Sequence, residues 1–349
     1  MDFLSRVLSD SLVTVFGSCL PSGLIITVNN KSFRVLKLLG EGGFSTVYLV
    51  RDVSTSKVFA VKKIFCSKND PEAFQIAFRE AEINRLFSHP NITTVIDICT
   101  ENQDDGSRIV YIFFKYYERG SLHDAIEANV ISKKYFSEKE ALELFYGVCQ
   151  AVKELHRYKL TDVPSMGSQE PEHNLSEDAT IEEDESASHL NYIPYAHRDI
   201  KPGNVMLSDD GKPILMDFGS AERARCSIKT RQQALAEQEK AAKFSTMIYR
   251  APELFDVEVG REITESVDIW SLGCLLYAIA YGSSPFESSV TEHGGSTALA
   301  VMNGKYTFPR NDPYSQKFRD LIELMLVTDP ASRPTIEQVI ESTQQLLSQ

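Results

Sequence analysis

His197-Arg198-Asp199-Ile200-Lys201-Pro202-Gly203-Asn204 is the stretch on which the reading of this chain turns. The chance occurrence of such an octapeptide is negligible. Downstream of it, Asp217-Phe218-Gly219 begins thirteen residues after Asn204. Ala251-Pro252-Glu253, Asp268-Ile269-Trp270-Ser271 and Ser332-Arg333-Pro334 follow in turn. Upstream stand Gly40-Glu41-Gly42-Gly43-Phe44-Ser45-Thr46-Val47 and, fifteen residues after Val47, the lysine of Ala60-Val61-Lys62.

The residue periods on the two sides of Tyr117 differ. Before it, Leu24–Val28, Phe33–Leu39, Val47–Val53, Val58–Phe65, Val95–Cys99 and Ile109–Tyr116 read as strands, with Asn29-Asn30 as a hairpin turn. One helix, Pro71–Phe87, carries apolar residues at Phe74, Ala77, Phe78, Ala81 and Leu86. After Tyr117 the pattern is helical: Ser121–Glu127, a long helix from the N-cap Ser137 to His156, then Ser266–Tyr281, Ser315–Val327 and Thr335–Leu347. Glu140 completes a capping box with Ser137. The expected fold class is therefore α+β in two lobes, a small β-rich lobe over 24–117 and a larger helical lobe over 118–349.

Two segments fit neither lobe. Residues 1–23 place Phe3, Leu4, Val7, Leu8, Leu12, Val15 and Phe16 at helical spacing, an amphipathic helix closed by Gly17 and Pro21. Residues 161–194 hold nine acidic residues and no Lys or Arg, a composition expected to stay disordered. That insertion accounts for most of the chain's net charge of -13, and the overall balance argues against generic nucleic-acid binding. Six cysteines lie far apart with no CxxC pair, which is neither a zinc pattern nor a disulfide framework and suits a reducing compartment. No apolar run approaches the ~20 residues that span a bilayer.

Taken singly, the upstream motifs are weak. A glycine-rich hairpin offers backbone N–H groups to phosphate oxygens, yet most such hairpins are only turns. A lysine at a strand end is ordinarily a solvated edge residue. Lys62 gains meaning from an acidic partner on the following helix. Glu80 is preferred to Glu82 because it lies nine residues before His89-Pro90-Asn91-Ile92.

In combination and order these motifs resemble the protein kinases, over about nine-tenths of the chain. The resemblance implies a bilobal kinase fold and transfer of the γ-phosphate of ATP, with Mg2+, to a protein hydroxyl. In that reading Asp199 orients the substrate hydroxyl, Lys201 neutralises the transferring phosphate, and Asn204 and Asp217 hold magnesium. Lys62, oriented by Glu80, holds the α- and β-phosphates, and Phe218 packs beneath the helix of Glu80. The nucleotide lies against Leu39, Gly40, Glu41, Gly42, Gly43, Phe44, Ser45, Thr46 and Val47. Val47, Ala60 and Met206 sandwich the purine, Lys115 and Tyr117 offer it backbone groups, and Phe114 guards the pocket behind. Glu253 and Arg333 form a structural ion pair. Lys201-Pro202-Gly203 and Thr246 resemble the serine/threonine branch.

A finer resemblance is to the Numb-associated kinases, in their compact lipid-anchored branch that includes fungal kinases of the vacuolar membrane. It is carried by the helix-forming run Thr230–Phe244 inside the activation segment, together with Gly40–Ser45, Arg85–Ile92, Asp217–Ala221 and Tyr249–Leu254. It implies autophosphorylation and peripheral contact with an endomembrane, vacuole or Golgi. Asp2 stands where vertebrate members carry a myristoylated glycine. Cys19 is then the candidate acylation site, against the alternative of an ordinary thiol and a helix packed on the kinase in a cytosolic protein. Asn84, one turn after Glu80, departs from the usual apolar residue and is expected to loosen the coupling between that helix and Phe218. A lipid or small-molecule kinase is disfavoured by Ala251-Pro252-Glu253 and Thr246. A pseudokinase scaffold acting through its surfaces is the remaining alternative.

Overall fold

The computed structural model describes residues 24–41, 45–159, 192–287 and 296–349. The amphipathic segment with Cys19, glycine-loop residues Gly42, Gly43 and Phe44, and nearly all of the acidic insertion lie outside the described residues. The chain packs as two compact units. One runs to Ser88 and resumes over Thr93–Glu118, and the other comprises His89–Ile92 and Arg119–Gln349. The first holds the large sheet and the second most of the helices.

The first unit is a six-stranded antiparallel sheet in the order β1-β2-β3-β4-β6-β5, with one helix. Its strands are β1 (Ile25–Val28), β2 (Lys31–Glu41), β3 (Ser45–Asp52), β4 (Val58–Cys66), β5 (Val95–Asn102) and β6 (Arg108–Lys115), and the helix is α1 (Pro71–Arg85). Val28 faces Lys31 across the β1–β2 turn, where Asn29 and Asn30 take φ of 48° and 60°. Positive φ at both positions is what a two-residue hairpin needs, and asparagine tolerates it. One set of alternating residues, including Phe33, Val50, Val61 and Phe113, forms a core in which the Phe33 and Phe113 rings meet at a tilt, 4.8 Å apart. The other face buries Ile64, Val110 and Ile112 under Ala77 and Ala81 of α1.

The second unit is helical: α2 (Leu122–Ile131), α3 (Glu138–His156), α4 (Arg231–Phe244), α5 (Ser266–Tyr281), α6 (Thr297–Met302), α7 (Gln316–Met325) and α8 (Ile336–Leu347). α5 is buried from Val267 to Ala280 and is the axis of this core. Between the helices lie the short strands β7 (Tyr195–Ala196), β8 (Val205–Leu207), β9 (Pro213–Leu215), β10 (Glu222–Arg223), β11 (Cys226–Ser227) and β12 (Glu262–Ile263). β9 lies so close to α3 that a Cβ on Gly147 would come 2.5 Å from the Pro213 ring. His89–Ile92 joins this unit because Leu215 N–H donates to the Asn91 carbonyl and the Asn91 amide donates to the Pro213 carbonyl, both at 2.7 Å.

The ends of the acidic insertion are pinned. Ile193 N–H donates to the Tyr158 carbonyl at 2.8 Å, Arg157 sits over the Tyr192 ring, and Tyr158 meets Tyr195 edge to face. Among the described residues no helix is long and apolar enough to cross a membrane. None of the five described cysteines is in a disulfide.

Candidate active site

In the sheet unit, register sets the site. Lys62 of β4 stands opposite Val47 of β3 and Ile112 of β6, and Ala60 stands opposite Leu49 and Phe114. Gly40 and Glu41 at the end of β2 pair with Val47 and Thr46. Lys62 Nζ donates to both carboxylate oxygens of Glu80, at 2.7 and 2.9 Å. Glu80 is buried on α1, whereas Glu82 is exposed, so the structure selects Glu80. Asn84 is buried, and its Oδ1 accepts from Val95 N–H at 3.2 Å, which ties the end of the helix to β5.

In the helical unit the octapeptide forms a loop whose carboxylate is fully engaged. Asp199 Oδ2 accepts from Lys201 Nζ at 2.7 Å and from Asn204 Nδ2 at 3.0 Å, and Oδ1 accepts from Thr246 N–H at 2.8 Å. Lys201 Nζ also donates to Thr246 Oγ1 at 2.7 Å. The Asn204 amide donates to the Asp199 carbonyl as well, at 2.8 Å. Both of these acceptors require the nitrogen, so Oδ1 of Asn204 is the atom left for another ligand. Met206 sits two residues after Asn204, in β8, opposite Ile214.

The loop backbone hangs on Asp268 at the start of α5. Its carboxylate accepts from the N–H groups of His197 at 2.7 Å and Arg198 at 2.8 Å, and lies 3.0 Å from His156 Nε2. Burial pushes the Asp268 carboxyl up. The hydrogen bond from His156, the nearby His197 and the Arg198 N–H overcome this and hold it below the usual carboxylate range. Asp268 therefore supplies fixed negative charge beneath the loop.

Asp217 takes φ 63° and ψ 78°, the left-handed region that aspartate tolerates better than most residues. Phe218 is buried with its ring 5.2 Å from His197. A carboxylate and an amide oxygen are hard donors that suit Mg2+, an ion commonly bound through one or two carboxylates plus phosphate oxygens. The residues present fit that ion.

The helix expected in the activation segment is α4. Thr230 caps it, with Gln233 completing a capping box. Arg333 pairs with Glu253 through two nitrogens, each at 2.7 Å. It also donates to the carbonyls of Ser266, Val327 and Thr328, which makes this pair part of the scaffold. Sequence reasoning missed Glu222 and Glu237, which pair with the Arg198 side chain, and Lys240, which pairs with both glutamates. Of these contacts, only the Glu237–Lys240 spacing on one helix face was open to a sequence reading.

The protein kinase domain model matches residues 33–161 and 187–343. Serine/threonine-protein kinase ppk13 of Schizosaccharomyces pombe is 38% identical, covering 90% of this chain and 91% of that protein. Serine/threonine-protein kinase ENV7 of Saccharomyces cerevisiae is 35% identical over 93% and 94%, and human serine/threonine-protein kinase 16 is 33% identical over 94% of each. Membership of this family implies ATP, usually with Mg2+. Catalytic loop, paired lysine and these relatives agree, and the chain belongs to the protein kinase family as a serine/threonine protein kinase.

Proposed function

We propose that this kinase transfers the γ-phosphoryl group of Mg-ATP to protein serine and threonine hydroxyls with Asp199 as the residue that orients the acceptor hydroxyl and takes its proton. The observation that carries the reading is the convergence of Lys201, Asn204 and Thr246 on the Asp199 carboxylate. Lys201 places a positive charge beside that carboxylate, where charge develops on the transferring group. Thr246 ties the end of the activation segment to both residues, as the serine/threonine branch requires. Asn204 through Oδ1 and Asp217 through its carboxylate would hold Mg2+, which supplies neutralisation of phosphate charge when bound. Lys62, held by Glu80, is assigned to the α- and β-phosphates. Leu39 to Val47 and Ala60, Phe114, Lys115, Tyr117 and Met206 are assigned to the nucleotide.

Asp199→Asn keeps the shape and removes the base. With ATP and a generic basic protein, its turnover should fall about 10²- to 10⁴-fold. Near-wild-type turnover in the variant would remove Asp199 from the mechanism. No turnover by the parent would favour the scaffold alternative.

The finer assignment is a Numb-associated kinase that autophosphorylates and works at an endomembrane. The capped helix α4 inside the activation segment supports the branch. The apolar spacing of residues 1–23 and Cys19 supports the location, because a single acyl chain binds a membrane only marginally and needs a second signal. Fractionation of Cys19→Ser tests it. Equal membrane recovery of variant and parent rejects acylation at Cys19, and a wholly soluble parent rejects anchoring.

A further inference from the structure

Two arginines of the sheet unit are arranged in a way that its folding does not call for. Ile25 of β1 stands opposite Arg34 of β2, Arg34 opposite Arg51 of β3, and Arg51 opposite Val58 of β4. Residues paired in this way lie on one face of a sheet. All four are exposed, Ile25 to 51% and Val58 to 40%. The centre of the row is two like charges directly opposite each other, an arrangement that destabilises a sheet. Among the described residues no carboxylate pairs with either guanidinium. Asp52, the residue after Arg51, is buried, and its Oδ1 accepts from Ser54 N–H, Thr55 N–H and Ser54 Oγ at 2.8, 2.9 and 2.6 Å.

The surroundings are basic and apolar together. Val53, just past β3, and Leu24, which leads into β1, are both exposed. Val53 N–H donates to the Ser32 carbonyl at 2.9 Å, which holds it beside β2. Residues 24–66 contain seven Lys and Arg against two Asp and Glu, a local charge of +5 in a chain whose net charge is -13. Residues 1–23 contain one cation, Arg6, and two carboxylates, Asp2 and Asp10. Their apolar pattern joins the fold at Leu24, one residue before Ile25. A surface that takes up that segment therefore lies beside the arginine row.

We propose that the face centred on Arg34 and Arg51 is a contact surface for an anionic lipid leaflet, supplying the basic signal that residues 1–23 lack. This rests on the endomembrane reading above, to which the sheet adds the lipid class and the residues that meet it. Guanidinium groups pair with phosphate oxygens through two parallel hydrogen bonds. Lipid phosphates over the row relieve the repulsion between the two arginines. Isoleucine and valine at the ends of the row suit the apolar depth of the lipid interface. A nucleic acid, the other large polyanion, is disfavoured by the net charge of -13.

The test is co-sedimentation of the full chain, without acyl groups, with vesicles of phosphatidylcholine alone and of phosphatidylcholine mixed with phosphatidylserine. The double variant Arg34→Gln/Arg51→Gln is compared with Lys133→Gln/Lys134→Gln, which removes the same charge from exposed lysines of the helical unit. The wild type should prefer the phosphatidylserine vesicles, and raised salt should remove the preference. The arginine variant should bind those vesicles about 30-fold more weakly, about fivefold per arginine, and the lysine variant should match the wild type. Turnover of a basic protein in solution should be unchanged in the arginine variant. Its thermal midpoint should hold or rise, because a like-charge pair is gone. Undiminished binding by the arginine variant, an equal loss in the lysine variant, or a lowered midpoint overturns the role of the pair. A wild type that binds both vesicle types alike rejects the anionic-lipid assignment alone. A wild type that binds neither also overturns it; recovery in the membrane fraction of cells then keeps the endomembrane reading, and absence from that fraction rejects it. Retention of the wild type but not the arginine variant on polyglutamate, with no binding to vesicles, gives the face to an acidic protein instead.

Discussion

Lys62 and Asp199 are both held by hydrogen bonds, but the two supports differ in kind. Lys62 takes its place from strand register and from a carboxylate on α1, a helix with Phe78 and neighbouring Leu86 partly exposed. Asp199 accepts from three donors of its own unit, and its loop is gripped from beneath by Asp268 and from the side by Glu222 and Glu237. A group with many anchors is preset, and losing one anchor leaves buried polar groups stranded. A group positioned through one neighbouring helix is adjustable, and losing the neighbour changes function more than folding. Removing the buried anchor beneath the Asp199 loop should therefore register in stability, and removing the carboxylate that holds Lys62 in activity.

The sharpest way to break that contrast is Asp268→Ala. It strands two backbone N–H groups and His156 in a fully buried site, a loss of about 3–5 kcal/mol on the scale of broken buried pairs. Urea unfolding reads it, and a loss below ~1 kcal/mol would show that the loop relaxes freely. Glu80→Gln comes next and should behave oppositely. kcat/KM for ATP should fall about 10- to 100-fold, about 1.4–2.7 kcal/mol. The unfolding midpoint should hardly move, and a variant that loses stability rather than rate would erase the distinction.

Asn84→Leu sharpens the comparison inside the sheet unit. It removes the acceptor for the buried Val95 N–H, an effect of about 1–3 kcal/mol. The leucine offsets part of this by replacing an Nδ2 that is itself buried without a partner. A net loss of about 1 kcal/mol with unchanged kcat would assign Asn84 to folding. The smallest effect belongs to Arg157 and Glu337. Burial raises the Glu337 carboxyl, the Arg157 hydrogen bond outweighs it, and the result is about 2 against an ordinary 4.5. The folded value is depressed, so the pair's stabilisation is present above pH 4.5 and fades as pH falls towards 2. Because the pair is partly exposed, it contributes about 1 kcal/mol or less. Glu337→Gln should remove that slope from a pH series of thermal midpoints.

Much of this was legible in the sequence where the cause is local. The Asn29-Asn30 hairpin follows from residues that accept positive φ, and the capping boxes at Ser137 and Thr230 from side chains three residues apart. The convergence of Asp199, Lys201, Asn204 and Thr246 was legible by resemblance, because those motifs have fixed wording. The two-residue strands β7 and β10 to β12 were not, since tertiary packing rather than propensity pairs them. The acceptor role of Asn84 towards Val95 was not legible either, because its polarity is visible in sequence and its partner is not. Glu222 and Glu237 were missed for the same reason: Arg198 lies 24 and 39 residues away, and no local pattern links them.

The bond from Ile193 N–H to the Tyr158 carbonyl makes the acidic insertion a detour that leaves and rejoins the fold at one doorway. Closing a loop between fixed ends costs only about 0.6 kcal/mol more for each doubling of its length. Such a doorway is nearly indifferent to the size of its cargo. Evolution can lengthen or trim the segment here, and an engineer can splice a fluorescent or affinity module into it, while the catalytic loop that begins at His197 keeps its setting.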